Sequence, residues 1–111
     1  MKLPQESELL RIFISERDKE GHRPLYEAIV EEARRHGMAG ATVLKGCLGY
    51  GATSRLHSSK ILMISEDLPL VVEIVDSPEK IASFLPFVGE MLTDSCLATL
   101  EKIRIVDFDS F

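Results

Sequence analysis

Two rounds of the same apolar patterning restrict the fold of this 111-residue chain more than any other feature. Residues 9–15 alternate as a β-strand does, and Pro24 then begins an amphipathic helix that Gly37 ends. Residues 41–45 form a second strand pattern. Residues 70–75 are almost entirely apolar, which is typical of a central strand that is covered on much of both faces.

The second round follows the same order as the first. Residues 60–64 bring the chain back in a β-favouring form. Ser77 and Pro78 predict the start of a second helix. Pro86 lies deep in that helix, where it predicts a kink or a split. Residues 97–108 predict the last strand. The apolar stripes are Leu25, Ile29 and Ala33 in the first helix and Ile81, Phe84, Leu85, Val88 and Leu92 in the second.

The resulting order is β-α-β, an excursion, then β-α-β, which is the ferredoxin-like split βαβ arrangement. We therefore expect a single α+β domain over residues 1–111, in which a four-stranded antiparallel sheet carries both helices on one face. The other sheet face is expected to be partly apolar, because Val71 and Val75 alternate with the core-facing positions of their strand. Since a monomer rarely exposes a large apolar patch, self-association is expected.

Charge and cysteine content exclude several classes of function. The formal net charge of −5 argues against a nonspecific nucleic-acid binder, because phosphate backbones attract cationic surfaces. No segment approaches the roughly 20 apolar residues that span a bilayer, and the first residues lack the apolar run of a signal peptide. Cys47 and Cys96 are too few for a disulfide framework, so a reducing, cytoplasmic location is expected. The three histidines show no metal-ligand spacing, and no metal site is predicted.

A glycine-rich run after the second strand is the first candidate ligand site. Its candidate residues are Gly46, Gly49, Gly51, Arg55 and His57. Glycines let successive amide groups converge on phosphate oxygens, and Arg55 would add a bidentate contact. The standard phosphate motifs do not match, because Ala52 follows Gly51 and Ser54 stands where a third glycine is needed. A β-bulge with a hairpin turn explains the same glycines, and both interpretations stay open.

The last strand supplies a second cationic group. Lys102 and Arg104 share a strand face, and no acidic residue is expected close by on that face, since Glu101 points the other way. Together with Lys45 and Arg55 they would place positive charge where a phosphate could lie. The alternative is a solvated edge or a set of salt bridges.

Catalytic machinery is not predicted. Cys47 near His57, and Ser59 beside Lys60, are the candidate nucleophile pairs. Neither pair has an identifiable third group that would orient a base, and a mobile loop is a poor platform for catalysis. We therefore expect a protein that is not an enzyme.

Several segments resemble the PII-like signalling proteins. They are the strand of residues 41–46 that opens into the glycine-rich loop, the turn Asp67-Leu68-Pro69, and the strand of residues 72–76. The run from residues 49–52 through 65–69 to 100–104 is similar to one small, largely uncharacterised branch of that superfamily. The likeness covers nearly the whole chain.

This resemblance implies a homotrimer with the sheets packed inside and with adenine-nucleotide sites in the three clefts between neighbouring subunits. It implies that the loop at residues 46–59 responds to the ligand and contacts a target, such as a membrane transporter or an enzyme. The nitrogen-regulatory members carry a second glycine-rich phosphate loop, whereas residues 92–99 of this chain contain no glycine. AMP or ADP is therefore favoured over ATP as the ligand, and no other cofactor is required.

The expected nucleotide-contacting residues are Lys45, Gly46, Gly49, Gly51, Arg55, His57, Lys102 and Arg104. Two other functions stay open. One is a small enzyme that acts on a phosphorylated or acyl-phosphate substrate, and the other is a trimeric scaffold that binds no ligand.

Overall fold

A four-stranded antiparallel sheet forms the centre of the computed structural model, which describes residues 3–50, 56–58, 68–94 and 96–110. Its strands are β1 (Glu6–Ser15), β4 (Ala41–Lys45), β7 (Pro69–Asp76) and β8 (Leu97–Arg104). The helices are α1 (Leu25–Arg35), α2 (Pro78–Met91) and a final 3-10 turn at Phe108–Ser110. Two short antiparallel pairs complete the elements: β2 (Lys19–Glu20) with β3 (Arg23–Pro24), and β5 (Leu48–Tyr50) with β6 (Leu56–Ser58).

The strand order β4-β7-β1-β8 confirms the predicted ferredoxin-like fold. The first strands of the two βαβ halves, β1 and β7, meet in the middle of the sheet, and β1 also pairs with β8. The register sets Leu10 opposite Ile74 on one side and opposite Leu100 on the other. β4 and β8 are the edge strands.

The core lies between the sheet and the two helices. Three residues of β1 and three of β7 point towards it, and the predicted helical stripes cover them from above. The buried residues are Leu10, Ile12, Ile14, Leu70, Val72 and Ile74 from the sheet, with Leu25, Ile29, Ala33, Ile81, Phe84 and Val88 from the helices. Removal of this apolar surface from water is the main term that stabilises the packing of sheet and helices.

The helix ends follow the predicted signals. Gly37 adopts a φ of 70° just beyond α1, a left-handed conformation that glycine accepts without a steric cost. Ser77 is the N-cap of α2, where its hydroxyl accepts a hydrogen bond of 3.2 Å from the amide of Lys80. Pro24 precedes α1 as its N-cap residue, and the amide of Leu25 donates to the carbonyl of Asp18 at 2.8 Å.

Of the kink or split predicted at Pro86, the split is wrong, because α2 runs through Pro86 as one element of 14 residues. Proline lacks the amide hydrogen that would bond the carbonyl of Ala82. Pro86 and Ala82 both lie on the exposed side of α2, where water can take that place. The helix therefore continues because the lost bond falls on its solvent side.

Other boundaries differ from the sequence prediction. β1 begins at Glu6 rather than residue 9, and β8 ends at Arg104 rather than residue 108. The polar connection after β1 contains the β2–β3 pair, whose turn begins at Gly21 with a φ of 63°. The strand predicted at residues 60–64 lies outside the described residues.

A buried carboxylate joins the two βαβ halves. Asp76 accepts hydrogen bonds from the amide of Ala39 at 2.8 Å and from the amide of Ser77 at 2.7 Å. Nearby, the ammonium of Lys80 donates to the carbonyl of His36 at 2.8 Å. These polar contacts fix the loop after α1 against the start of α2.

The sheet face away from the helices is partly apolar, as predicted. A row of apolar side chains crosses all four strands, and register places its members opposite one another: Leu44, Val71, Phe13 and Leu97. Leu44 is 48% exposed, Phe13 37% and Leu97 59%. We call the sheet face that carries this row the open face. In the described ranges, neither α1 nor α2 has the length and apolar character that crossing a bilayer requires.

Candidate functional site

The segment between β4 and β7, residues 46–68, is called the excursion below. Its two ends lie side by side at one end of the sheet. The amide of Gly46 donates to the carbonyl of Pro69 at 2.7 Å, directly after the last residue of β4. The amide of Glu16, directly after β1, donates to the carbonyl of Leu68 at 2.9 Å. The base of the excursion therefore lies beside the connection from β1 to α1.

Two glycines of the predicted loop pack against one proline ring. An added Cβ at Gly46 would lie 2.9 Å from Cγ of Pro69, and one at Gly49 would lie 3.2 Å from the same atom. Neither glycine has a positive φ, so close approach of the chain and not a left-handed turn explains their presence. Because the Gly46 amide already bonds Pro69, it is not directed at a ligand in this structure.

On either side of residues 51–55, the glycine-rich run contributes the paired strands β5 and β6. Gly49 is the register partner of His57, and Leu48 that of Ser58. This agrees with the hairpin interpretation of the glycines. The backbone of His57 is described, whereas Gly51 and Arg55 lie outside the described residues.

Lys45 is the one predicted cation that lies at the base of the excursion within the described part of the chain. Its ammonium contacts Oε1 of Glu16 at 2.9 Å, and the Lys45 side chain is 57% exposed against 22% for Glu16. The other carboxylate oxygen of Glu16, Oε2, is buried and has no hydrogen-bond partner among the described residues. An open groove of about 530 Å³ lies here, lined by Glu16, Arg17, Lys19, Pro24 and Tyr26.

Lys102 and Arg104 share a face of β8, as predicted, but that face is not free of acidic residues. In the register with β1, Lys102 lies opposite Glu8, and Arg104 lies opposite Glu6. Opposite partners in an antiparallel pair point to the same side of the sheet. The expectation of no acidic neighbour is wrong because it considers only β8 itself, whereas the carboxylates come from the adjacent strand.

The structure does not bring the two cationic groups together within one chain. Lys45 lies opposite Leu70, at the end of the sheet where β1 finishes, whereas Lys102 lies opposite Glu8 near the beginning of β1. Six residues of β1 separate these two levels, a distance of roughly 20 Å at about 3.4 Å per residue. A site that uses both groups therefore needs two subunits.

Sequence reasoning missed an ion cluster in the middle of the open face. Nε of Arg11 lies 2.9 Å from Glu73, and its Nη1 lies 2.8 Å from Glu101. The hydrogen bond with Glu73 raises the pKa of Arg11 above its ordinary value; partial burial opposes this and the contact with Glu101 adds to it. Strand alternation is consistent with both Arg11 and Glu73 on this face, but only the register shows that they are direct partners. Glu101 points away from Lys102, as predicted.

No group of three or more histidine, cysteine, aspartate or glutamate side chains converges as a metal site in the described ranges.

The chain belongs to the DUF190 family, described as "Uncharacterized ACR, COG1993", whose model matches residues 7–105. A UPF0166 protein of Aquifex aeolicus is 38% identical over 98 residues, which cover 88% of this chain and 91% of that protein.

Solved structures share the fold. CPII of Thiomonas intermedia K12, a nitrogen regulatory PII-like protein bound to ADP, AMP and bicarbonate, superposes with a TM-score of 0.65 at 16% identity; the match covers 96% of this chain and all of CPII. A PII-like signaling protein of Thermus thermophilus superposes with a TM-score of 0.66 at 18% identity. The match covers 96% of this chain and 95% of the Thermus protein. The chain therefore has the PII-like form of the ferredoxin-like fold.

The packing of Gly46 predicts the effect of adding one methyl group. Gly46→Ala is expected to lower the free energy of unfolding by about 1–3 kcal/mol, because the new Cβ would press on the ring and the carbonyl of Pro69. Chemical denaturation followed by circular dichroism measures this change. Gly40→Ala is the matched control, since a Cβ there meets nothing within 4 Å. Equal stability of the two variants would show that the Gly46–Pro69 contact does not constrain the fold.

Proposed function

We propose that this protein is a PII-like regulator that assembles as a homotrimer, binds an adenine nucleotide between subunits and signals to a partner protein through residues 46–59. The observation that carries the proposal is the placement of its cations. Lys45 and the pair Lys102 and Arg104 stand at opposite ends of the sheet, so a phosphate site that used both groups would lie across a subunit boundary. The likeness to CPII, which holds ADP and AMP, supports the same conclusion.

Assembly would use the open face. Its apolar row crosses every strand, and half-exposed side chains of this size gain most when a second copy covers them. The Arg11 cluster lies beside this row on the same face, where Glu73 and Glu101 pair with the guanidinium and leave one negative charge in excess. An ion group that is hydrogen-bonded within one subunit costs less to bury than an unpaired charge.

The nucleotide would lie in the cleft between neighbouring subunits. Lys45 and the excursion come from one subunit, and Lys102 and Arg104 come from the next. Each charge-assisted hydrogen bond to a phosphate would contribute roughly 1.5–3 kcal/mol. Gly49, Gly51, Arg55 and His57 belong to the same excursion, so closure of this segment on the phosphate would change the surface that a partner contacts.

AMP or ADP is the favoured ligand. The connection from α2 to β8 contains no glycine, so it lacks the backbone freedom of a second phosphate loop. In this connection the amide of Cys96 donates to the carbonyl of Thr93 at 3.0 Å. The turn therefore already uses one of the amides that a triphosphate clamp would need.

We propose that the protein acts in signalling and not in catalysis. It would act in the cytoplasm, and its target would be a membrane transporter or an enzyme. Among the described residues, Arg11 and Lys45 pair with carboxylates, and the ammonium of Lys80 donates to the carbonyl of His36. We assign structural and ligand-binding roles to these cations and no catalytic role.

The first test concerns assembly. Sedimentation velocity is expected to give the mass of three chains for the natural protein and of one chain for Leu97→Lys, since a lysine on the open face would bury a charge in the trimer. Leu97 is 59% exposed in the single chain, so its own fold should tolerate the change. Val106→Lys is the control, because Val106 is 53% exposed and lies outside the sheet. A natural protein that sediments as a single chain would contradict the proposal.

The second test concerns the ligand. Calorimetry with AMP, ADP, ATP and cyclic nucleotides is expected to show binding of AMP or ADP. Arg104→Ala should weaken it by about tenfold to a hundredfold, the equivalent of one charge-assisted contact. Arg34→Ala removes an exposed arginine from the last turn of α1 and should leave the affinity unchanged. If no nucleotide gives a heat of binding at millimolar concentration, the nucleotide-binding proposal is wrong and the scaffold function is favoured.

A further inference from the structure

Lys45 is paired with a carboxylate that the proposed nucleotide contacts do not explain. Glu16 lies 2.9 Å from the Lys45 ammonium through Oε1, while its Oε2 is buried without a hydrogen-bond partner among the described residues. The Glu16 side chain is only 22% exposed, and its backbone amide is bonded to Leu68. The carboxylate therefore cannot move far from the base of the excursion.

A phosphate that binds Lys45 must approach this fixed negative charge. Glu16 partly neutralises the positive charge of Lys45, so Lys45 attracts a phosphate less strongly than an unpaired lysine would. The repulsion between Glu16 and the ligand grows with each phosphate group that the ligand carries, and solvent screens it poorly at a mostly buried carboxylate. A monophosphate meets this repulsion least and a triphosphate meets it most.

We propose that Glu16 shifts the phosphate-charge preference of the nucleotide site towards AMP and away from ATP by holding a negative charge against Lys45. This inference rests on the proposed nucleotide-binding function. Arg17 and Lys19 line the same groove and attract a nucleotide more strongly as its phosphate charge grows, so they oppose the effect of Glu16. Because both cations are unchanged in Glu16→Gln, that variant isolates the contribution of Glu16.

The test compares two ligands on matched variants. Glu16→Gln keeps the size of the side chain and removes its charge. Calorimetry at fixed ionic strength is expected to show ATP affinity about tenfold higher than in the natural protein, with AMP affinity raised by less than about threefold. Glu27→Gln removes the same charge from an exposed position in the first turn of α1 and should change neither affinity.

Glu16→Asp separates charge from packing. It keeps the negative charge with a shorter side chain, so the ratio of ATP affinity to AMP affinity should stay close to that of the natural protein. Thermal unfolding of each variant shows that it is folded before binding is measured.

The outcomes separate this inference from the function on which it rests. If the natural protein binds neither nucleotide, both are wrong. If it binds them and Glu16→Gln leaves the ratio of ATP to AMP affinity unchanged, or if Glu16→Asp shifts that ratio as much as Glu16→Gln does, only the role of Glu16 is overturned.

Discussion

A sheet face that neither helix covers is the constraint on which the rest of this structure depends. The two helices pack on one side of the four strands, where the whole core lies. The other side carries an apolar row that reaches from Leu44 on one edge to Leu97 on the other. Burial of that row requires another surface, and a second copy presents the same shape and the same pairing of charges. The proposed symmetric assembly, with its cleft between subunits, would bury this one face.

The antiparallel register adds the second condition. β4 and β8 are the two edges of the sheet, and their cationic residues fall at opposite ends of β1. In the proposed trimer, one chain would offer half of a phosphate site at each end of its sheet. Within the chain, Glu16 contacts Lys45, and Glu6 and Glu8 lie opposite Arg104 and Lys102, so each group of cations has acidic neighbours. The proposed assembly and ligand binding would both use this topology.

Much of the fold could be predicted from the sequence, because apolar periodicity reports directly on burial. It identifies the stripes of both helices and the alternation of β1 and β7. The contacts at the site could not be predicted, since they join residues that are distant along the chain. Glu16 meets Lys45 across 29 positions, and Arg11 meets Glu101 across 90. The sequence also does not distinguish a glycine that packs against Pro69, such as Gly46, from a glycine that binds a phosphate. The acidic partners of Lys102 and Arg104 were missed because only the strand register reveals them.

The most direct measurement is a crystal structure of the protein grown with ADP. The account predicts a threefold assembly whose open faces point inwards, with the phosphates of ADP between Lys45 of one subunit and Lys102 or Arg104 of the next. An assembly that leaves the open faces in solvent, or ADP bound away from both groups of cations, would contradict it.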